Sequence, residues 1–449
     1  MTNKILKKKK EGFIDVVVGL QWGDEGKGKN IDELLSHKIY SGVARFQGGA
    51  NAGHTLKLGD MTFIGHIVPS GCFQKNIELY IGNGVVVDVV SLIKEIKQLK
   101  DLDLDFDVVS RLFISNRAKL VSYLHPFLDQ ADEYRRNNLG TKVGSTARGI
   151  GPVYSDVRAR RALLIGDVLR ADFEQKEEVL YQFHMNLLNM YKDKYGFKID
   201  LEKIKEAKKM WWDALKEIKK LQICDLSFLI QKRLREGKNI LAEGAQGAML
   251  DIDFGDYPNV TSSNTLPSSV CLGLGVSHRY LRDIYGVIKA YTTKVGGGNF
   301  PARIKDEALE KLFQKAGNEF GATTGRPRMC GWLDLFALRY AINLSGINKI
   351  FINKADICLS DKVKVVTGYK NGRKIFKEFP LYLSEVKNVV TEEIAGWGGA
   401  DYGVNDKKKV SKELTSYLKY IKSKLADLDI KIISVGTGPD RDHFFNWDK

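Results

Sequence analysis

Gly19-Leu20-Gln21-Trp22-Gly23-Asp24-Glu25-Gly26-Lys27-Gly28-Lys29 follows the apolar run Ile14 to Val18 and leads into Ile31 to Leu35. The run reads as a short buried strand, and the residues beyond the stretch open a helical pattern. Strand, glycine-rich turn and helix together present successive backbone N–H groups and a positive helix end to a phosphate. Lys27 and Lys29 add positive charge where such an anion would sit. The spacing is not that of a P-loop, because no four-residue interval separates a glycine from a Gly-Lys-Ser/Thr. Asp24 is the unusual member. A carboxylate beside phosphates repels them unless a cation intervenes or it has a proton to move, so Asp24 points to a magnesium ligand, a base, or both. The bland alternative is a glycine-rich turn capped by an acid.

Outward from this stretch, strand and helix patterns alternate. Gly42 to Phe46 reads as a strand running into the small-residue loop Gln47-Gly48-Gly49-Ala50-Asn51-Ala52-Gly53-His54-Thr55, where backbone can approach a ligand closely. Further strands are expected over Glu78 to Asp88, Leu112 to Val121, Asn239 to Ala245, Tyr285 to Val295, Lys349 to Ile352 and Ile430 to Val435. Helical periods fall over Val89 to Lys100, Trp332 to Leu344 and Val410 to Leu425, and Val363 to Phe379 reads as a hairpin turning at Asn371-Gly372. Gly144 to Pro152 reads as a flexible polar loop, and the segment from the glycines after Val295 to Gly331 as long and irregular. Such alternation is that of a mostly parallel sheet with helices on its faces. One large α/β domain over 13–449 is therefore expected, with a helical insertion around 171–234 in which Trp211, Trp212 and Leu215 form a buried stripe. The lysine-rich residues 1–12 read as a disordered tail.

Of the 449 residues 43% are hydrophobic and 28% charged, as in a protein that buries a large core. No apolar run reaches the roughly 18 residues of a membrane span, and the amino terminus lacks a secretory h-region. The five cysteines are odd in number and widely spaced, which argues for reduced thiols in a cytoplasmic setting and against a zinc site. The net charge of +15 lies largely in lysines at helical spacing in 200–220 and 405–424, which read as solvated helix faces. No basic and aromatic interleaving suggests nucleic acid.

Four loops follow expected strands, and in open α/β sheets ligands gather beyond the strands' carboxyl ends. Asp24, Lys27, His54, Gln246 and Asp356 should therefore face one crevice. Asn353-Lys354-Ala355-Asp356 matches an N-K-x-D pattern in which the carboxylate accepts hydrogen bonds from N1–H and the exocyclic amine of guanine. Adenine has no N1 donor, so such a carboxylate selects guanine. His54, in a glycine-rich loop without apolar periodicity, reads as a general acid or phosphate donor. The six other histidines receive no role. Arg326 and Arg328, in Gly321-Ala322-Thr323-Thr324-Gly325-Arg326-Pro327-Arg328, suit carboxylate or phosphate.

Over Val16 to Arg441 the chain resembles the adenylosuccinate synthetase family. The resemblance rests on the strings 21–29 and Asn51-Ala52-Gly53-His54-Thr55, on Gly149-Ile150-Gly151-Pro152 and Glu243-Gly244-Ala245-Gln246-Gly247, and on Val260-Thr261-Ser262-Ser263-Asn264 and Gly331-Trp332-Leu333-Asp334. It implies a P-loop-like, GTPase-related α/β core with a large central, mostly parallel sheet, flanked by helices and carrying inserted helical and small β subdomains. The implied reaction joins IMP to L-aspartate with GTP through 6-phosphoryl-IMP. Asp24 would be the base and His54 the acid, assisted by Lys27 and Gln246, with one Mg2+ per subunit on Asp24 and the Gly53 carbonyl. GTP would contact Gly23, Glu25, Gly26, Lys27, Gly28, Lys29, Gly53, His54, Thr55 and Arg328, and its guanine would lie on Lys354, Ala355, Asp356, Gly436, Thr437 and Gly438. IMP would meet Asp24, Asn51, Thr146, Gln246, Thr261 and Arg326, with Arg160 supplied by the neighbouring subunit of a homodimer. L-Aspartate would meet Ala322, Thr323, Thr324, Gly325, Arg326 and Arg328. The resemblance implies neither a nucleic-acid nor a membrane partner.

Two departures from the family pattern stand out: Met329 replaces an arginine, and Ser145 and Ala147 replace the more usual Thr and Gly around Thr146. Two other functions compete with this reading. Phage-type relatives that accept dGMP have a small hydroxyl residue where this chain has Asp24. A guanine-nucleotide switch or nucleic-acid-binding protein would need neither IMP nor aspartate.

Overall fold

All six residues of Ile14–Gly19 are buried. Val16 and Val18 enter one hydrophobic core and Val17 the other, the alternation of a strand covered on both faces. The computed structural model describes residues 11–58, 61–102, 104–321 and 325–448. Ile14–Gly19 lies inside a ten-stranded sheet. In spatial order the strands are Phe444–Asn446, Lys431–Gly436, Lys349–Asn353, Leu281–Lys289, Ile14–Gly19, Ile240–Gly247, Gly42–Arg45, Glu78–Ile81, Leu112–Ser115 and Gln222–Cys224. Neighbours are parallel except Phe444–Asn446, which returns antiparallel on Lys431–Gly436. Helices such as Lys27–Ser36, Val89–Asp101 and Lys412–Lys424 cross between the parallel strands. Chain order reverses around Ile14–Gly19, and there the loops of neighbouring strands diverge to leave a crevice.

The 171–234 stretch holds helices Phe173–Tyr195, Leu201–Ile218 and Leu226–Arg235. Trp211 and Leu215 are buried there, and Trp212 packs partly buried beside them. Lys205, Lys216 and Lys220 pair with acids three residues before them on an exposed face. Lys362–Asn371 turns at Gly372, at φ 59°, to pair with Lys374–Ile375, and together with Asn388–Ala395 it makes a small antiparallel sheet. All five cysteines are free, and among the described residues no helix is long and apolar enough to cross a membrane.

Three expected strands are shorter than their apolar patterns. The Glu78 to Asp88 run breaks after Ile81 and resumes at Val86–Val87, Leu112 to Val121 breaks after Ser115, and Tyr285 to Val295 breaks after Lys289. Gly82 and Gly84 sit at the first break, where an added Cβ would strike the backbone oxygens of Gly273 and Phe46 at 2.5 and 2.2 Å. The 296–331 segment, expected to be irregular, contains helix Glu307–Ala316, capped by the Asp306 carboxylate. The Gly144 to Pro152 loop ends in the first turn of helix Ile150–Arg158. Residues 1–10 lie outside the described residues; Gly12, grouped with the tail by its sequence, is buried and donates to the Leu234 carbonyl at 2.7 Å.

Candidate active site

Asp24, Gln246 and Lys354 stand just beyond, or at the end of, three strands of the central sheet, and each is a non-glycine residue in left-handed backbone, at φ 60°, 60° and 59°. A side chain there costs about 1–2 kcal/mol relative to right-handed backbone, and such strain concentrates where a side chain must be aimed. All three line one cleft of about 2180 Å³.

The glycine-rich turn is held from within. Glu25, fully buried, accepts the N–H groups of Gln21 and Gly23 at 3.1 and 2.9 Å and pairs with Lys27 Nζ at 2.9 Å. Its carboxylate thus braces the turn, while Gly23, Gly26 and Gly28 contribute to the cleft wall. Lys27 also donates to the Gln246 carbonyl at 2.5 Å, and Lys29 to the carbonyls of Gly438 and His443 at 2.7 and 2.8 Å. Burial lowers the Lys29 pKa to about 8, against the pull of Glu33.

Asn353 ties this turn to the N-K-x-D loop, because its amide donates to the Glu25 carbonyl and to Asn30 at 2.8 and 2.7 Å. Lys354, Asp356, Gly436 and Gly438 line the cleft. Ala355 and Thr437 do not: Ala355 bonds Gly436 through its N–H, and Thr437 turns its hydroxyl to the Val404 carbonyl at 2.7 Å. Burial raises the Asp356 pKa, opposed by Lys354 and Lys29.

Across the cleft, Asn51 donates to Thr261 Oγ1 at 3.4 Å, which brings together two of the residues expected to face one ligand. The Gln246 side-chain amide is buried with neither its oxygen nor its nitrogen hydrogen-bonded, and Asn51 Oδ1 is in the same condition. Each such group costs about 1–3 kcal/mol, so a polar ligand belongs against them. Thr146 lines the cleft. Ser145 beside it donates to Asp129 at 2.6 Å, so serine meets the need that threonine would. Ala147 is at φ 54°. Ala147→Gly should therefore raise unfolding free energy by about 1 kcal/mol, a gain readable as a shift in denaturant midpoint. Arg160 is exposed beyond helix Ile150–Arg158, at φ 62°, and does not line the cleft, whereas Arg158 and Arg161 do.

His54 heads strand His54–Leu58, which pairs with Met61–Gly65 and places Thr55 opposite Ile64. Its Nε2 is buried without a hydrogen-bond partner. Burial lowers its pKa to about 4, with Arg45, His66 and Lys27 adding to the effect and Glu243 opposing it. The ring is therefore neutral near pH 7. Asp24 and Gly53 line the same cleft and offer hard oxygen donors, a carboxylate and a backbone carbonyl, a set that fits Mg2+ with substrate oxygens completing the shell.

Ala322, Thr323 and Thr324 lie outside the described residues. Gly325 and Arg326 are exposed and do not line the cleft. Arg328 turns inward, with Nε 2.7 Å from Asp24 Oδ2 and Nη1 2.7 Å from Glu319 Oε2. Met329 pairs with Lys294 across two short strands and packs against the core, which gives it a structural place.

Of the histidines left without a role, His125 and His184 form a buried cluster with Asp156. This set does not fit a metal ion. His125 Nδ1 accepts the Ser122 N–H at 2.7 Å, so its proton sits on Nε2, which donates to Asp156 Oδ2 at 3.0 Å. His184 Nε2 donates to the same oxygen at 2.7 Å. The nitrogens that would bind a cation carry protons, and the cluster is a strut between three helices. Spacing in the sequence gives no sign of it, since Asp156 is 31 residues from His125 and 28 from His184.

Fold and cleft together define a doubly wound α/β enzyme whose ligands meet beyond the carboxyl ends of its strands. A family model described as adenylosuccinate synthetase matches residues 16–445. The adenylosuccinate synthetase of Porphyromonas gingivalis is 42% identical over 430 residues, covering 96% of this chain and 98% of that protein. That of Thermodesulfovibrio yellowstonii is 40% identical over 435 residues, 95% and 97% of the two chains. This chain belongs to the adenylosuccinate synthetase family. The structure of fully ligated adenylosuccinate synthetase from Plasmodium falciparum matches with TM-score 0.88 at 31% identity, over 97% of this chain and all of that one. Cyanophage S-2L succinoaminodeoxyadenylate synthetase (PurZ), bound to dGMP and dATP, gives TM-score 0.61 at 18% identity and shares the fold alone.

Proposed function

We propose that this chain joins IMP to L-aspartate at the expense of GTP, forming adenylosuccinate, GDP and phosphate. The observation that carries the reading is Asp24, a carboxylate held in left-handed backbone beside Arg328, in a cleft that Lys27 and Lys29 also line. It removes the proton from N1 of IMP, so that O6 attacks the γ-phosphorus of GTP. His54, neutral and facing the same cleft, donates its ring N–H to the transferring phosphoryl oxygens, and Lys27 offsets their charge. Asp24 and the Gly53 carbonyl would hold Mg2+, which would supply charge neutralisation for the phosphates. The aspartate amine then attacks C6 and phosphate departs; an oxo group without the phosphoryl is a very poor leaving group. The buried amide of Gln246, with Asn51, Thr146 and Thr261, grips IMP. The loop 321–328 takes the aspartate carboxylates, and the 354–356 and 436–438 turns take guanine. Arg160, exposed and outside its own cleft, reaches IMP in a partner subunit of a cytoplasmic homodimer. Residues 13–449 act as one domain.

An assay omitting one reactant at a time tests this reading. Absorbance near 280 nm should rise only with GTP, IMP, aspartate and magnesium all present. Activity persisting without IMP would favour a guanine-nucleotide switch, and turnover with dGMP in place of IMP the phage-type reaction. A second expectation concerns Gly65, where an added Cβ would lie 2.7 Å from His54 Nε2. Gly65→Ala should displace the ring and lower kcat by about 10²-fold, with KM for IMP little changed.

A further inference from the structure

Glu319 has no place in the sequence reading, yet its carboxylate joins four side chains from three stretches of the chain, two of which line the cleft. It is fully buried at the near root of the 320–327 loop. Oε1 accepts the Tyr291 hydroxyl at 2.5 Å and lies 3.4 Å from Lys354 Nζ. Oε2 accepts Arg328 Nη1 at 2.7 Å, and Lys289 Nζ reaches both oxygens at 2.8 and 2.9 Å. Burial pushes its pKa up, but Lys289, Lys354 and Arg328 outweigh that and hold it at about 2, so the group is charged. Its carbonyl also accepts the Arg328 N–H at 2.9 Å, which closes the loop's two roots on each other.

Two of these cations have a second face on the cleft. Lys354 opens the guanine turn, and Arg328 is the inner root of the aspartate loop and the partner of Asp24. Lys354 also donates to the Gly317 carbonyl, two residues before Glu319. A buried carboxylate serving stability alone needs no cation that also faces ligand. Here two cations share one anion, and fixing one of them against the carboxylate fixes the position of the carboxylate oxygens on which the other is seated. Glu319 has no hydrogen bond or ion pair to Asn51, Thr146, Gln246 or Thr261, so those IMP contacts lie outside this circuit, which reaches the IMP side only through Arg328 and Asp24.

We propose that Glu319 is a positioning residue that couples Lys354 of the guanine pocket to Arg328, the aspartate-binding arginine, so that filling either position tightens binding at the other. The proposal rests on the assignment of those two pockets above. Guanine seated on Lys354 to Asp356 fixes Lys354 against Glu319; Glu319 then holds Arg328 with Nε toward Asp24 and its remaining N–H groups toward the carboxylates of aspartate. By linkage the effect is reciprocal.

The test uses the full chain saturated with IMP. Calorimetry measures the Kd of succinate, a dicarboxylate without the nucleophilic amine, in the presence and absence of the methylene analogue of GTP. In the unaltered protein the analogue should tighten succinate by about tenfold. In Glu319→Gln the tightening should fall to about twofold or less. In steady state the same variant should raise KM for both GTP and aspartate and leave KM for IMP within about twofold, a split that general loosening of the fold would not give. Should the single variant fail to fold, Lys289→Met/Glu319→Gln removes one buried charge of each sign, an exchange that cores commonly tolerate, and the same loss of coupling is expected. Unaltered coupling in a folded variant overturns the proposal, as does a unaltered protein that binds both ligands independently. Failure of the unaltered protein to bind succinate at all would instead overturn the pocket assignment, and the proposal with it.

Discussion

Asp24→Asn is expected to lower turnover by about 10³-fold or more while leaving the nucleotide analogue bound. Asparagine keeps the shape of the side chain and is among the residues that best tolerate left-handed backbone, so the turn at φ 60° should survive. What it loses is the lone pair that takes the N1 proton and the charge that answers a cation, and general-base removal alone is worth about 10²–10⁴-fold. Arg328 keeps its 2.7 Å bond to Glu319, so the substitution does not orphan the guanidinium. Single-turnover phosphoryl transfer from labelled GTP to IMP isolates the step. A variant that forms 6-phosphoryl-IMP at a near-normal rate would remove Asp24 from the role of base.

Much of this was legible in the chain because phosphate loops have few chemical solutions. Gly23, Gly26 and Gly28 with two lysines after an apolar run announce strand, anion loop and helix, and Asp24 stands out there by its charge. Asn353 to Asp356 was readable for the same reason, a short motif following a strand. The signal ends where partners come from distant positions. Glu25 lines the cleft as its place in the motif suggests, but the second task of its fully buried carboxylate, the internal brace of its own turn, has no mark in the sequence. Glu319 and Lys289 are 30 residues apart and neither belongs to a motif, so nothing local marks their pairing. His125, Asp156 and His184 escaped for the same reason. Helix Glu307–Ala316 was missed because glycines and prolines on both sides mask a ten-residue amphipathic stretch. The strand breaks after Ile81 and Ser115 were hidden in runs apolar enough to suggest continuous strands; they come from close backbone approaches that only the assembled sheet imposes.

Asp356→Asn should change which nucleotide is accepted. The Asp356 carboxylate faces the cleft at the end of the Asn353 to Asp356 motif, in surroundings whose burial raises its pKa. As an ionised acceptor it takes two hydrogen bonds, from guanine N1–H and from the exocyclic amine. An asparagine can still accept N1–H through its oxygen, but its NH2 then confronts the guanine amine, donor against donor. Loss of one charge-assisted bond is worth about 1.5–3 kcal/mol and creation of one unpaired buried donor about 1–3 kcal/mol, which together correspond to a rise in KM for GTP of about 10²-fold or more. Xanthine carries an oxygen where guanine carries that amine, so the asparagine NH2 finds an acceptor and xanthosine triphosphate should support turnover. The buried environment works in the same direction, because an uncharged amide is easier to keep out of water than a carboxylate. Steady-state rates with GTP and with xanthosine triphosphate, at saturating IMP and aspartate, decide the matter. If the variant keeps its preference for GTP, the guanine contact lies elsewhere than on Asp356, and the 354–356 turn must then be holding its loop partners rather than the base.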